Sequence, residues 1–368
     1  MGDAKKILPL AEPPITTFPS YAATLGILSN YEETYDWFYS HYIQLCTVDI
    51  VNRYDGKGLQ TPYMICFFAD TDPRRFMSPV CDNYFLRRDI CPYLDIFEIP
   101  HELITSMGKS FVSIIKHCID LNMYLFGLLN VSHIKQYGRR GGICHEVFIY
   151  GYDDDEEVVY FADFPISDTY KYTYSKCSYQ EIENAFAHMF FMYSPVRSIA
   201  AIRYTNALPY AFDFSYVQNS IRDYIEPDNS KAKAFNDYVM SYFSTFNFVT
   251  ETYLGVNVYD YFSNYIDFEL ANGKDFLFAT ELFHGLYDHK EMMLKRIEHF
   301  MSKGYLASEK ALLLDEYTKV RDNALIIRNT VLKFNASKKA DVLRKADLVL
   351  KATKNLEIRL LKEIFDLD

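Results

Sequence analysis

A histidine and an aspartate stand at the open ends of one apolar hairpin, and they are the residues of this chain best placed for chemistry. Val147-Phe148-Ile149-Tyr150 is a β-branched and aromatic run, Gly151 and the acidic residues 153–157 make a turn, and residues 158–162 run back. His145 opens the first strand and Asp163 closes the second, so strand pairing predicts them as neighbours at one sheet edge. A carboxylate that orients an imidazole supplies two-thirds of a nucleophilic triad. Candidates for the third member are a hydroxyl and two thiols. Ser20 follows Pro19, which disfavours helix at Phe18, and precedes an apolar helical run over 21–28. It reads as an N-cap, a favoured role for serine, or as a nucleophile at the positive end of a helix. Cys46 reads as a small core residue, and strand alternation turns Cys144 away from His145.

The elements that must position these residues fall into two regions. Residues 1–208 mix helices and strands: strands over 42–51, 63–68, 123–131 and 197–204, helices over 102–120 and 178–192, and a loop over 69–88. This predicts an α+β domain. Ser178 and Glu181 have capping-box spacing at the start of the second helix. Residues 209–368 read as all-α, with helices over 214–225, 231–246, 258–271, 275–303 and 309–367, the last broken near 335–338. His284, Asp288 and His289 have metal-ligand spacing on one helix, but no third strong ligand converges with them. A buried polar network is the preferred reading, and no metal or cofactor is expected. The chain carries no phosphate-binding loop, dinucleotide fingerprint, zinc signature or internal repeat.

Composition narrows the functional class. The 368 residues carry a net charge of -11, which argues against general nucleic-acid binding because that needs a basic face. Hydrophobic residues make up 49%, enough for one large or two medium cores. The 32 tyrosines and 29 phenylalanines suit aromatic-walled clefts, although codon bias produces the same excess. Seven cysteines form no CxxC pair, and Met1 to Lys6 hold no long apolar run. A cytoplasmic protein with reduced thiols is therefore expected. The apolar stretch over 111–131 is interrupted by Lys116, His117, Asp120 and Asn122, so no membrane span is expected.

Several segments together resemble the butirosin biosynthesis protein H family, which has the papain-like cysteine-protease fold. They are Tyr124-Leu125-Phe126 before a basic Tyr/Gly loop, His145-Glu146-Val147-Phe148-Ile149-Tyr150-Gly151-Tyr152-Asp153-Asp154, and Tyr160-Phe161-Ala162-Asp163-Phe164. Gly255-Val256-Asn257-Val258-Tyr259-Asp260 and the stretch from Asp288-His289-Lys290 to Arg296-Ile297 are similar to the helical half of such proteins. The hairpin also resembles that of bacteriocin-processing peptidases of the same fold, which use Cys, His and Asp.

The resemblance implies a papain-like domain over 1–208 and an all-helical domain over 209–368. It implies an acyltransferase of natural-product assembly that forms an amide or ester bond. The acyl group would come from a thioester on the phosphopantetheine arm of an acyl or peptidyl carrier protein and pass to an acceptor amine. Family members place a cysteine nucleophile at the start of the first buried helix, followed by an aromatic and small residues. The matching string here is Ser20-Tyr21-Ala22-Ala23-Thr24-Leu25, so serine stands at the nucleophile position. The oxyanion-donor glutamine of related peptidases has no counterpart between Pro13 and Pro19. Three explanations of Ser20 stay open: a native serine nucleophile, a Cys-to-Ser replacement, and a non-nucleophilic site. Lys135, Arg139 and Arg140 are candidates for contact with the phosphate or the carrier. Hydrolysis by the same residues, a catalytically silent binding protein and a homodimer also stay open.

Overall fold

The predicted hairpin forms, and an antiparallel sheet grows on both sides of it. The computed structural model describes residues 4–52, 60–68, 91–138, 144–164, 171–189, 198–227, 247–272 and 280–367. In chain order the elements are β1 (Lys5–Ile7), α1 (Pro19–Leu28), α2 (Tyr35–Ser40), β2 (Gln44–Asn52), β3 (Gln60–Phe68), β4 (Leu94–Pro100), α3 (His101–Ser106), α4 (Phe111–Asp120), β5 (Tyr124–Asn130) and β6 (Cys144–Asp153). They continue as β7 (Val158–Asp163), β8 (Thr173–Ser178), α5 (Tyr179–Ala187), β9 (Ser198–Tyr204), α6 (Phe214–Ile225), β10 (Asn247–Leu254), α7 (Asn257–Asn272), α8 (Thr280–Ser302), α9 (Ala311–Ser337) and α10 (Ala340–Phe365). The chain forms two compact units, Met1–Tyr35 with Val80–Tyr210 and Asp36–Pro79 with Ala211–Asp368. The predicted helix over 231–246 and the loop over 69–88 lie outside the described residues. No described helix is long and apolar enough to cross a membrane.

The first unit holds the sheet β4-β9-β5-β6-β7-β8, with β1 pairing the far end of β6 beyond β5. Gly151 permits this: a Cβ there would lie 2.8 Å from the Lys6 carbonyl oxygen. The helix expected over 102–120 is two helices. Gly108 adopts φ +63°, a conformation that costs glycine little, and Ser110 then caps α4 by accepting from the Ser113 N–H. On α5 two carboxylates serve helix ends. Glu183 accepts the N–H groups of Phe111 and Val112 at 3.1 and 2.8 Å, which satisfies the start of α4. Glu181 completes the capping box with Ser178 and also accepts the Lys135 N–H at 3.1 Å.

The second unit departs from the all-α expectation. Residues 247–254 form β10, which joins β2 and β3 in a three-stranded antiparallel sheet. Residues 36–79 therefore belong to this unit, whereas the sequence boundary at 208 assigns them to the first. Phe248, Val249, Thr250, Thr252 and Tyr253 favour extended backbone, but their partner strand lies far earlier in the chain, where local periodicity carries no information.

A fully buried carboxylate holds the helices of the second unit together. Glu357 of α10 accepts from Tyr224 of α6 at 3.2 Å, Tyr259 of α7 at 2.8 Å, Tyr317 of α9 at 2.7 Å and Lys290 of α8 at 2.9 Å. Lys290 and Glu357 are both 0% exposed. Burial and the Glu357 charge push all three tyrosine hydroxyls well above their usual pKa, so they remain donors. Nearby, the buried Arg296 donates to the Tyr39 and His41 carbonyls at the end of α2. Removing one member of a buried ion pair leaves an uncompensated charge. Lys290→Met is therefore expected to lower unfolding free energy by about 3–5 kcal/mol, and adding Glu357→Gln to recover part of that loss. Chemical denaturation of both variants checks this; an equal loss in the two would show that the pair is not the origin of the effect.

Candidate functional site

The hairpin brings His145 and Asp163 together. Phe148 pairs Ala162 and Ile149 pairs Phe161, with a register shift at Tyr150. Alternation then places His145, Val147 and Ile149 on one sheet face with Phe161 and Asp163, and His145 lies diagonally across from Asp163. His145 Nδ1 sits 2.9 Å from Asp163 Oδ2 and 3.1 Å from the Glu146 carbonyl oxygen. Both are acceptors, so Nδ1 carries the hydrogen and Nε2 is the atom left for proton transfer. Asp163 is 0% exposed, while the His145 side chain is 35% exposed.

Tyr137 completes the pair. Its hydroxyl donates to the same Asp163 Oδ2, and its ring stacks on Phe161. Tyr137 ends the 3-10 turn Lys135–Tyr137, whose first N–H is held by Glu181. Glu181 thereby links α5 to the turn and fixes the tyrosine over the dyad. Sequence reasoning missed Tyr137, since nothing local separates it from the other tyrosines.

The electrostatics of the dyad are lopsided. Burial disfavours the imidazolium, but the Asp163 charge and hydrogen bond override it and push His145 up to about 10. Tyr137 is raised well above its usual value by burial and by Asp163, so it stays a donor.

Ser20 is placed differently from its predicted cap. The N-cap is Phe18, Pro19 is the first helical residue, and Ser20 is the second. Proline is favoured at the first helical position because it lacks an N–H that would go unused there, and this starts the helix earlier. All ten residues of α1 are buried, and α1 packs against β6. Ser20 is 0% exposed, and among the described residues its Oγ has no hydrogen-bond partner, His145 included.

The two thiol candidates stand on different strands. Cys46 is buried on β2, in the second unit. Cys144 Sγ lies 3.5 Å from Met189 Sδ. Burial pushes Cys91 up to about 12, Cys118 up to about 11 and Cys177 upward as well, so these thiols stay protonated. Lys135 is exposed; Arg139 and Arg140 lie outside the described residues. His289 bonds the Ile43 carbonyl at 2.7 Å and approaches Lys290, while His284 faces Asp288 at 3.6 Å. Among the described residues no group of three such side chains is placed to hold a metal ion.

A histidine raised from 6.5 to about 10 on folding stabilises the fold fully below pH 6.5, and that contribution is lost as pH rises through about 10. NMR of the His145 ring is expected to show titration in the alkaline range, and Asp163→Asn to return it toward 6.5 with loss of the alkaline decline in stability. A wild-type His145 that titrates near 6.5 would contradict this electrostatic account. No protein-family model and no curated protein matches the chain.

Proposed function

We propose that this protein is an acyltransferase of papain-like fold that moves an acyl group from a carrier-protein thioester to an amine. The observation that carries the reading is the 2.9 Å bond from His145 Nδ1 to the buried Asp163, which aims Nε2 outward from a fixed tautomer. In the proposed reaction Ser20 Oγ attacks the thioester carbonyl carbon while His145 Nε2 takes the hydroxyl proton. The developing oxyanion lies at the N-terminal end of α1, beside the Ser20 N–H and the positive end of the helix. The C–S bond breaks, and the imidazolium returns the proton to the thiolate. The amine then attacks the serine ester and gives its proton to Nε2. The C–O bond breaks, and Ser20 recovers its hydrogen.

Asp163 and Tyr137 take no part in bond making; they hold the imidazole and stabilise its charged form. With His145 pushed up to about 10, most imidazole rings are protonated at pH 7. Deprotonation of a serine hydroxyl needs the neutral form, so the rate is expected to climb with pH. A second reading, a binding protein of the same fold, is favoured by one observation: Ser20 Oγ is sealed and unbonded. A cytoplasmic location and a carrier-protein partner belong to the proposal, with the exposed Lys135 as a candidate contact.

Intact-protein mass spectrometry with an acyl thioester separates the readings. An acyl adduct is expected on the wild type, faster on Ser20→Cys and lost in Ser20→Ala. His145→Ala is expected to slow acylation by about 100-fold or more. Adding an amine should yield amide rather than free acid; free acid alone would mark a hydrolase. No adduct on either the wild type or Ser20→Cys would leave the binding protein standing.

A further inference from the structure

The chain enters the second unit at Asp36, and the segment between α2 and β2 is held there by its carbonyls. Arg296 of α8 donates to the Tyr39 and His41 carbonyls at 2.5 and 2.6 Å. His289, on the same helix, donates from Nε2 to the Ile43 carbonyl at 2.7 Å. Tyr42 and Ile43 are buried, as is Trp37 at the other end of the segment. Burial lowers Arg296 to about 9, so in acid it stays a cation. Of the two holders, only the histidine can change its charge between pH 5 and 7.

Both nitrogens of the His289 ring are engaged, and their roles are fixed. A carbonyl only accepts, so Nε2 carries the hydrogen. Nδ1 lies 3.1 Å from Lys290 Nζ. The lysine spends its three N–H groups on this nitrogen, on Tyr224 Oη at 2.5 Å and on Glu357 Oε1 at 2.9 Å. Nδ1 is therefore an acceptor, and the ring is neutral. A second proton would have to sit on Nδ1, facing an ammonium, where both residues are 0% exposed. The charges that bear on the ring are Lys290 and Arg296, both cations. From α6 comes the Tyr224 ring, stacked at 5.0 Å. The Glu357 carboxylate of α10 is bound to Lys290 and to Tyr224, Tyr259 of α7 and Tyr317 of α9. Asp288 faces His284 instead, and β3, which also packs on α8, has neither a carboxylate nor a cation in its sequence. Burial, then Lys290 and Arg296, hold His289 well below its usual pKa.

We propose that His289 is an acid-released latch on the segment between α2 and β2. A proton taken from solvent at Nδ1 sets an imidazolium against the Lys290 ammonium. The ring leaves its place, and the Ile43 carbonyl loses its donor. A histidine whose pKa is depressed on folding contributes stability that is full above pH 6.5 and is lost as pH falls below it. Unperturbed carboxylates take up protons near pH 4, so the latch responds before they do. Release that exposes the ring becomes about 30-fold more favourable at pH 5 than at pH 8. Burial lowers His101 as well, but that residue lies in the first unit.

Trp37 is the one tryptophan of the chain and is 1% exposed, so its emission follows the latch in the intact protein. Urea titrations read by the emission maximum are expected to give a release constant about 30-fold larger at pH 5 than at pH 8. His289→Gln keeps a donor and an acceptor but does not titrate, and should lose most of that difference. His41→Gln, which changes the ring stacked on Trp37, should keep it. NMR of isotope-labelled histidines needs no variant: His289 is expected as the neutral Nε2–H tautomer at every pH at which Trp37 is buried. Three results would overturn the proposal: a His289 that becomes imidazolium near pH 6.5 while Trp37 stays buried, a wild-type release constant that does not change with pH, or an undiminished pH response in His289→Gln.

Discussion

Asp163 Oδ2 is the atom on which the candidate site depends. A carboxylate with no exposed surface must be paired or neutralised, and its position at the end of β7 decides which donors can reach it. His145 arrives because strand pairing sets it diagonally across the hairpin. Tyr137 arrives because the turn that carries it is pinned by Glu181, which also caps α5. Each support thus serves two purposes. The capping box that starts a helix also aims a tyrosine, and the register that buries Val147 and Phe161 also sets the distance from Nδ1 to the carboxylate.

The second unit shows what a wholly structural buried carboxylate looks like. Glu357 has three tyrosines and a lysine distributed over both oxygens, contributed by four other helices, and none of the group is exposed. Such a network fixes helix register and leaves nothing to offer a ligand. Asp163 is equally buried, but one of its oxygens takes two donors and the other takes none among the described residues, and its histidine partner reaches solvent. Incomplete satisfaction beside an accessible imidazole separates the two carboxylates. Both are invisible to composition, since each is one acidic residue among 49.

Local sequence carried much of this architecture. The hairpin, the helix over 214–225 and the break before Ala340 follow from periodicity and breaker residues. The dyad followed from the hairpin alone, because a strand pair converts remote positions into neighbours. What periodicity could not carry was pairing across the chain. β10 needed β2, so the C-terminal region acquired a sheet that its helical pattern concealed. Gly108-Lys109-Ser110 held the stop and start signals that divide the helix expected over 102–120. Pro19 moved the start of α1 and turned Ser20 from a cap into a buried second residue. Tyr137 required knowledge of where Glu181 would hold its turn.

The raised pKa of His145 bears on what its partner should be. A thiol gives up its proton readily, and an imidazolium kept charged by a buried carboxylate stabilises the resulting thiolate. A serine hydroxyl gains nothing from a protonated neighbour; it needs the neutral base. The charge on the dyad therefore suits a thiol partner better than a hydroxyl one, and under the proposed reaction Ser20 would have to draw on the small neutral fraction of His145.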